Sequence, residues 1–292
     1  MSKRALRIKL EQFRQASQIH GGVLRFCIAV LAVRLSRVKI PSRRLRALIY
    51  HQMFGKKYRA LNEAEFENPI WSYPSLNALF SRGVRPELRP IAQATNQFLC
   101  PCDGRVQEVG RLSRDRLVTI KGVEYSIDSL LPAIDTGPFH DGQFAIFFLA
   151  PDDCHRIFSP QDGKIEEVIH VPGYRLLVHP PFQRKEYPVF SLNERIILRL
   201  TTPRGNCLLV LVAGWGVGNI TLPFDRRFRR CRKKVTRNSY AAPVTVTRGQ
   251  WIATFELGST AILILEKAES VSTHLTTEER VKYGQPAFSV GR

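Results

Sequence analysis

The hydrophobic and polar positions of the chain fall into two regions with different periods. Before about residue 60, apolar residues recur at helical spacing among arginines, as in Leu24, Ile28, Leu31 and Leu35. Gly21-Gly22 and Pro41 are typical helix breaks, so this region is predicted to form more than one helix. From residue 98 onward, short runs rich in Val, Ile and Phe between Gly and Pro predict strands at 143–149, 164–171, 196–200, 207–213 and 260–265.

The order of these elements predicts an α+β fold, a mainly β domain preceded by N-terminal helices. Several of the predicted strands are apolar at nearly every position, which is typical of strands that are buried on both faces. We place the domain boundary between Asn62 and Asn68, with residues 1–65 as a helical segment and residues 66–292 as the mainly β domain. The chain has no internal repeat that would divide it further.

The charge of the chain predicts an anionic partner. Lys and Arg number 44 against 25 acidic residues, which gives a net charge of +19. Nucleic acid and anionic lipid both fit this charge. The residues 225–237 alone carry eight basic side chains, with Phe224 and Phe228 beside them. This run is either a solvated loop or a surface that contacts lipid headgroups, where each basic residue contributes about 1 kcal/mol.

The helical segment sets the expected location of the protein. Its apolar stretch at 23–35 is interrupted by Arg25 and Arg34 and is shorter than the roughly 20 residues that span a bilayer. The stretch runs on into further arginines rather than a small-residue cleavage site, which argues against a secretory signal. We therefore predict a protein at the cytoplasmic face, with this segment either in a membrane interface or packed on the domain.

The six cysteines are scattered along the sequence and are predicted to be reduced thiols in a cytosolic setting. The one close pair, Cys100 and Cys102, has no second pair at the spacing of a zinc site. The sequence therefore predicts no metal site and no disulfide framework.

The segment with the most specific chemistry is Phe255-Glu256-Leu257-Gly258-Ser259-Thr260, followed by the apolar run 261–265. A glycine before a serine lets the hydroxyl approach the glycine carbonyl and tolerates unusual backbone angles. By itself, a Gly-Ser pair before a strand is also typical of a plain turn. In this segment the chain resembles the phosphatidylserine decarboxylase family, whose members cleave themselves between the Gly and Ser of a Gly-Ser-Thr motif.

The resemblance extends over about residues 72–290, with its motifs in the order that the family shows. They are Ser75-Leu76-Asn77 with Phe80, Arg85-Pro86-Glu87-Leu88-Arg89-Pro90-Ile91, Pro101-Cys102-Asp103-Gly104, Ile120-Lys121-Gly122 with Tyr125-Ser126, Leu149-Ala150-Pro151, His155-Arg156, Val171-Pro172-Gly173, Asn193-Glu194-Arg195 and Gly284-Gln285. The fold that the resemblance implies, a mainly β catalytic domain preceded by helices, agrees with the strand pattern.

The resemblance implies that the chain is a proenzyme that matures by self-cleavage between Gly258 and Ser259. The Ser259 hydroxyl would attack the Gly258 carbonyl, the peptide would become an ester, and elimination would leave a dehydroalanine. Hydrolysis would then convert Ser259 into a pyruvoyl group at the new N-terminus. The long chain 1–258 and the short chain 259–292 should stay together, because 260–265 is predicted to be a buried strand.

The implied activity is the pyruvoyl-dependent decarboxylation of phosphatidylserine to phosphatidylethanolamine. A pyruvoyl carbonyl engages the amine of the lipid headgroup and accepts the electrons that departing carbon dioxide leaves behind. This activity needs an anionic phospholipid and a membrane surface, and no metal or added cofactor. Nucleic-acid binding has only the net charge in its favour, without a recognised motif, and we rank it last.

A serine hydroxyl needs a base, commonly a histidine that a carboxylate orients. The resemblance implies Asp103 as that carboxylate, although Asp-Gly is by itself typical of a turn. The family usually has His-Arg-x-His and takes the second histidine as the base, but this chain has His155-Arg156-Ile157-Phe158. The family links His155 to substrate chemistry. Three alternatives remain: His155 acts in both self-cleavage and decarboxylation; another residue serves as the base for self-cleavage; or maturation is slow or absent. In the last case the chain would be an impaired or inactive lipid-binding paralogue.

Overall fold

A computed structural model describes most of the 292 residues of the chain. The described residues are 3–19, 21–57, 62–112, 116–118, 123–179, 183, 186–214, 219–226, 228, 231, 233–256 and 259–291. Their helices are α1 (Lys3–Ile19), α2 (Val23–Leu35), α3 (Arg43–Lys57), α4 (Leu76–Phe80), α5 (Ile127–Leu130) and α6 (Val189–Leu192). Short 3₁₀ turns lie at Glu63–Glu65, Ile70–Ser72, Pro86–Leu88 and Gly137–Phe139.

The strands follow the N-terminal helices. They are β1 (Gln97–Leu99), β2 (Gly104–Arg111), β3 (Arg116–Val118), β4 (Glu124–Ser126), β5 (Gln143–Leu149), β6 (Arg156–Phe158), β7 (Gly163–Val171), β8 (Arg195–Thr202), β9 (Gly205–Ala213), β10 (Ile220–Thr221), β11 (Thr236–Val246), β12 (Trp251–Phe255), β13 (Ser259–Leu265), β14 (Val271–Thr273), β15 (Arg280–Val281) and β16 (Pro286–Val290). The five strands predicted from the sequence are β5, β7, β8, β9 and β13, and each is confirmed within three residues at either end. The predicted α+β, mainly β fold is confirmed.

The N-terminal helices are separated at the predicted breaks. Gly21 and Gly22 adopt φ values of +72° and +125°, a backbone conformation that favours glycine, and α2 begins at the next residue. Pro41 lies in the connection between α2 and α3. None of the helices in the described ranges is both long enough and apolar enough to cross a membrane.

Eight of the described strands form one antiparallel sheet in the order β11-β7-β8-β9-β13-β5-β2-β15. Strand β13 lies near the middle, paired with β5 on one side and β9 on the other. Two three-stranded sheets, β1-β16-β14 and β10-β12-β6, lie beside the large sheet in the described part of the chain.

Both faces of the large sheet are buried, as the continuous apolar runs predict. On β13, Ala261, Leu263 and Leu265 pack in one hydrophobic cluster, which includes side chains of both smaller sheets. Ile262 and Ile264 pack in a second cluster on the opposite face, with residues of β4, α5 and α6. The division of the chain at residues 65 and 66 stays a prediction.

Candidate active site

Ser259, which follows the predicted cleavage site, lies at the N-terminal end of a central strand of the large sheet. Ser259 is the first residue of β13, and its backbone pairs with Leu149 at the end of β5 and Ala213 at the end of β9. Gly258 lies outside the described residues, and of Ser259 only the backbone is described. The bond that is predicted to break therefore directly precedes a strand that has a neighbour on each side.

His155 is fully buried close to the chain that leads into this strand. Its carbonyl accepts a hydrogen bond from the Phe255 amide at 2.9 Å, four residues before Ser259. Its ring lies against Phe80, with 4.0 Å between the ring centroids. The fold thus brings His155 to the segment that contains the predicted cleavage site.

The protonation of His155 follows from its contacts. Nδ1 lies 3.0 Å from the carbonyl oxygen of Asp153, which can only accept, so Nδ1 carries the hydrogen. Nε2 is then the basic nitrogen, and it is buried without a hydrogen-bond partner among the described residues. Burial, with a smaller effect of Arg82, lowers the pKa of His155 to about 3. The imidazole is therefore neutral at neutral pH, with a free lone pair on Nε2.

Asp103 is also buried, but its carboxylate is bound by an arginine. Arg89 donates from Nη2 to Oδ2 at 2.7 Å and from Nε to both carboxylate oxygens at 3.1 Å. The backbone amide of Tyr283 donates to Oδ1 at 2.9 Å. None of the hydrogen bonds found for Asp103 within the described part of the chain involves a histidine.

Arg89 is held by two carboxylates at once. Besides Asp103, its Nη2 donates to Glu65 Oε2 at 2.6 Å. Burial lowers the pKa of Arg89, but the hydrogen bonds with Asp103 and Glu65 outweigh this effect and raise it. Sequence reasoning placed Arg89 in a family motif without a role. Its contact with Asp103 joins two motifs that lie 14 residues apart in the chain.

Phe158 is linked to the surroundings of Asp103 through Tyr283 and Pro101. It is almost completely buried and stacks on Tyr283, with 3.6 Å between ring centroids and 12° between ring planes. Its backbone amide donates to the carbonyl of Pro101 at 2.7 Å, two residues before Asp103. The position where the family has its second histidine is therefore close to Asp103, but here it contributes to a small apolar cluster.

A cavity of about 170 Å³ lies beside these residues and contains charged side chains of both signs. Its lining includes Arg82, Arg89, Asp103, Asp152, Asp153 and Lys282. Burial, followed by the charges of Asp152 and Asp103, raises the pKa of Asp153 to about 6, although a hydrogen bond from the Ala150 amide opposes the shift. Asp153 lines the cavity, and its backbone carbonyl accepts a hydrogen bond from His155 Nδ1.

A second group of charged residues, built around Glu194 of the Asn193-Glu194-Arg195 motif, lies farther along the same sheet. Glu194 accepts hydrogen bonds from Arg175 at 2.9 Å and contacts His170 Nε2 at 3.0 Å. Burial raises the pKa of Glu194, but these two partners lower it to about 2. Because two strands, β8 and β9, lie between β7, which carries His170, and β13, this histidine is remote from the cleavage site in strand order.

Comparison with known proteins identifies the family. The sequence model of the family described as phosphatidylserine decarboxylase matches residues 76–289, more than half of the chain. The chain belongs to the phosphatidylserine decarboxylase family. The resemblance read from the motifs is thus confirmed, and with it the assignment of the chain to a family of carboxy-lyases.

Bacterial relatives extend the similarity to the family over most of the chain. A phosphatidylserine decarboxylase proenzyme of Anaeromyxobacter sp. (strain K) is 36% identical over 219 residues, which are 73% of this chain and 78% of the relative. The proenzyme of Halorhodospira halophila is 36% identical over 70% of each chain. That of Myxococcus xanthus is 32% identical over 80% of this chain and 83% of its own. Residues 1–75, with the three long helices, precede the region that the family's sequence model matches.

Proposed function

We propose that the chain is a phosphatidylserine decarboxylase proenzyme that cleaves itself between Gly258 and Ser259. The observation that carries this proposal is the position of Ser259 at the start of β13, between β5 and β9. A chain cut before Ser259 would keep every backbone pair of β13 from Ser259 to Leu265. The short chain 259–292 would therefore remain part of the fold.

In the proposed cleavage, the Ser259 oxygen forms a bond to the Gly258 carbonyl carbon, and the bond from that carbon to the Ser259 nitrogen breaks. The serine hydroxyl proton passes to a base, and the amine takes up a proton. Loss of the Cα proton of Ser259 then expels the Gly258 carboxylate and leaves a dehydroalanine. Addition of water and loss of ammonia complete the pyruvoyl group.

His155 is the base that we propose for the first step, because its Nε2 has a free lone pair and its backbone bonds to Phe255. Asp103 is a poorer candidate for a relay, since its carboxylate already binds Arg89 and the Tyr283 amide. A pKa of about 3 makes His155 a weak base, so we expect cleavage to be slow.

The pyruvoyl group would supply an electrophilic carbonyl that engages the lipid amine and accepts electrons during loss of carbon dioxide. The protein would hold this group at the N-terminal residue of β13, between the ends of β5 and β9. His155, which is fully buried, would accept and donate protons beside the pyruvoyl group. The proposed reaction converts phosphatidylserine to phosphatidylethanolamine.

We further propose that helices α1 and α2 dock on the cytoplasmic face of a membrane that contains anionic phospholipid. The side chains of α2 that are exposed include Leu24, Ile28, Leu31 and Leu35, which recur at intervals of three or four residues and so share one face. Exposed Leu6, Leu10 and Phe13 form a similar row on α1. The two helices contact each other through Phe13 and Phe26. Such apolar rows, on a chain with a net charge of +19, fit an interfacial helix pair.

The experiment for maturation is the intact mass of the purified protein under denaturing conditions, beside Ser259→Ala. We expect two chains, 1–258 and a pyruvoyl-bearing 259–292, in the parent protein and a single chain in the variant. A single chain in both proteins after prolonged incubation would contradict self-cleavage.

The experiment for activity and docking uses cleaved protein with vesicles of phosphatidylcholine alone or mixed with phosphatidylserine. We expect flotation with the mixed vesicles and release of carbon dioxide only from them. Vesicle binding without carbon dioxide would contradict the decarboxylase. Preferential, steeply salt-dependent binding to nucleic acid would contradict the lipid partner.

A second candidate function is an impaired or inactive paralogue that retains lipid binding. The observation that favours it is the Phe158–Tyr283 stack beside Asp103, at the position where the family usually has a histidine. An intact 33.3 kDa chain that floats with phosphatidylserine vesicles would support this candidate. Efficient self-cleavage would argue against it.

A further inference from the structure

Glu256, two residues before Gly258, is tied to the N-terminal helical region. Its carboxylate accepts a hydrogen bond from Arg37 Nη2 at 2.5 Å. Its other oxygen accepts one from Asn219 Nδ2 at 3.0 Å, and its backbone amide donates to the Asn219 carbonyl at 3.0 Å. Glu256 is largely buried, so its side chain has a defined place among these partners.

Arg37 lies in the turn directly after α2, and this turn is fixed to the mainly β domain. The Asn77 amide donates to the carbonyl of Ser36 at 2.8 Å, and the Ile40 amide donates to the carbonyl of Pro74 at 2.8 Å. Backbone hydrogen bonds therefore hold the residues on either side of Arg37. The backbone at Arg37 is therefore held in place, and its guanidinium contacts Glu256, which lies 219 positions later in the sequence.

We infer that Arg37 is a positioning residue for self-cleavage, acting through Glu256 on the chain segment that leads to Ser259. This inference rests on the proposed function. Arg37 precedes residue 76, where the match to the family begins, so the contact adds to the family's motifs a residue from the N-terminal helical region. The same region carries the apolar rows of α1 and α2.

The physical reason is the short path between two sheets. Phe255 ends β12 in a small sheet, and Ser259 begins β13 in the large sheet. Only residues 256–258 connect the two strands. The carbonyl that Ser259 must attack belongs to Gly258, the last of these three residues. Intramolecular attack depends steeply on the relative placement of the two groups. A clamp on Glu256, the first of the three residues, restricts the conformations of this crossing.

The contact between Arg37 and Glu256 should affect the segment between β12 and β13 much more than the stability of the whole fold. The side chain of Arg37 is 55% exposed, and such ion pairs contribute little to global stability. We therefore expect Arg37→Ala to leave the unfolding midpoint nearly unchanged and to slow cleavage by about 3- to 10-fold. Arg37→Lys keeps a cation that can reach the carboxylate and should retain most of the rate.

The test is a double-mutant cycle on the rate of cleavage with Arg37→Ala, Glu256→Ala and the double variant. If the two residues act as a pair, adding Arg37→Ala to Glu256→Ala slows cleavage no further. Lys39→Ala, which removes a positive charge from the same turn, is the matched control and should cleave at the parent rate. Multiplicative effects in the double variant, or equal slowing by Lys39→Ala, would overturn the inference.

A second measurement does not depend on cleavage. In a Ser259→Ala background, which keeps the chain intact, hydrogen exchange of a peptide that spans 252–262 reports on the crossing. We expect Arg37→Ala to raise exchange at the Glu256 amide at least 3-fold, and Arg37→Lys or Lys39→Ala to leave it close to the Ser259→Ala parent. Unchanged exchange in Arg37→Ala would overturn the clamp. If the parent protein fails to cleave, the proposed function fails, and the exchange result still decides the clamp.

Discussion

The ring of Phe158 lies flat on the ring of Tyr283, and the backbone amide of the same Tyr283 donates to Asp103. A histidine at position 158 would lie against Tyr283, the residue whose amide binds Asp103, and its imidazole could serve as a base. The stack puts an apolar ring there instead. Weak base catalysis by His155 is what remains for the proposed cleavage.

Phe158→His is accordingly expected to accelerate self-cleavage. A well-placed general base contributes roughly 10²–10⁴-fold, so we expect an increase of at least about 10-fold over the parent protein. The measurement is the fraction of cleaved chain against time by intact mass. Phe158→Leu, which removes the ring without adding a base, is the matched control and should not accelerate. An equal rate for both variants would show that the missing histidine does not limit maturation.

Arg89→Met is expected to destabilise the protein strongly, because it leaves Asp103 and Glu65 close together without their shared cation. Removing one partner of a buried ion pair costs about 3–5 kcal/mol. Unfolding in urea, followed by fluorescence, measures the change. The control is Arg105→Met, which breaks an ion pair with Glu278 that is half exposed on both sides and should cost less than about 1 kcal/mol.

A second variant separates charge from packing at the same site. Arg89→Met combined with Asp103→Asn removes one of the two stranded charges and should recover part of the lost stability. No recovery would mean that Arg89 acts through its packing rather than through the carboxylate.

Much of the fold could be predicted because a strand with a long apolar run is stable only where both of its faces are buried. The segments 207–213 and 260–265 are apolar on both faces and became β9 and β13 in the middle of the large sheet. The longer strands β2 and β11 escaped prediction because polar residues interrupt their apolar positions. Other strands that escaped prediction, such as β6 and β10, are two or three residues long. Their pairing depends on neighbours that are distant in sequence, and a window of two or three residues has no periodicity to read.

The sequence predicted which residues belong to the candidate site but not which residues they contact. Sequence motifs pointed to Asp103 and His155, and the fold brings both near the N-terminal end of β13. Their partners were not predictable, because a motif does not encode which side chain from another segment meets it. Arg89, rather than a histidine, binds Asp103. The catalytic roles of Ser259, Asp103 and His155 stay predictions.

Asn193→Leu tests a buried amide that links three chain segments. Asn193 accepts from the Leu176 amide at 2.9 Å and donates to the carbonyls of Leu176 at 2.9 Å and Ala213 at 2.8 Å. A leucine would leave these backbone groups unpaired in the interior, so we expect a loss of about 3 kcal/mol. Urea unfolding measures it. Asn206→Ala, which removes a partly buried hydrogen bond to Glu266, is the control and should cost about 1 kcal/mol.

The adjacent groups Asp153 and His155 predict opposite effects of pH on stability. With a folded pKa of about 3 against an ordinary 6.5, His155 binds a proton in the unfolded state first, so its contribution to stability is lost as pH falls from about 6.5 to 3. Asp153, with a folded pKa of about 6 against 3.8, is protonated more readily in the folded state. Its contribution is lost as pH rises from about 4 to 6.

Removing either group should therefore change the slope of stability against pH between pH 4 and 6. We expect Asp153→Asn to add up to about 1.4 kcal/mol per pH unit to the gain on raising pH, and His155→Gln to subtract a similar amount. Urea unfolding of the parent protein and of each variant at pH 4, 5 and 6 gives the change in unfolding free energy per pH unit for each protein. The variant with both substitutions should return towards the parent slope, because the two contributions have opposite signs. An increased slope in His155→Gln would mean that His155 is cationic in the folded protein and could not act as the base of the proposed cleavage. A decreased slope in Asp153→Asn would contradict the protonation state of Asp153.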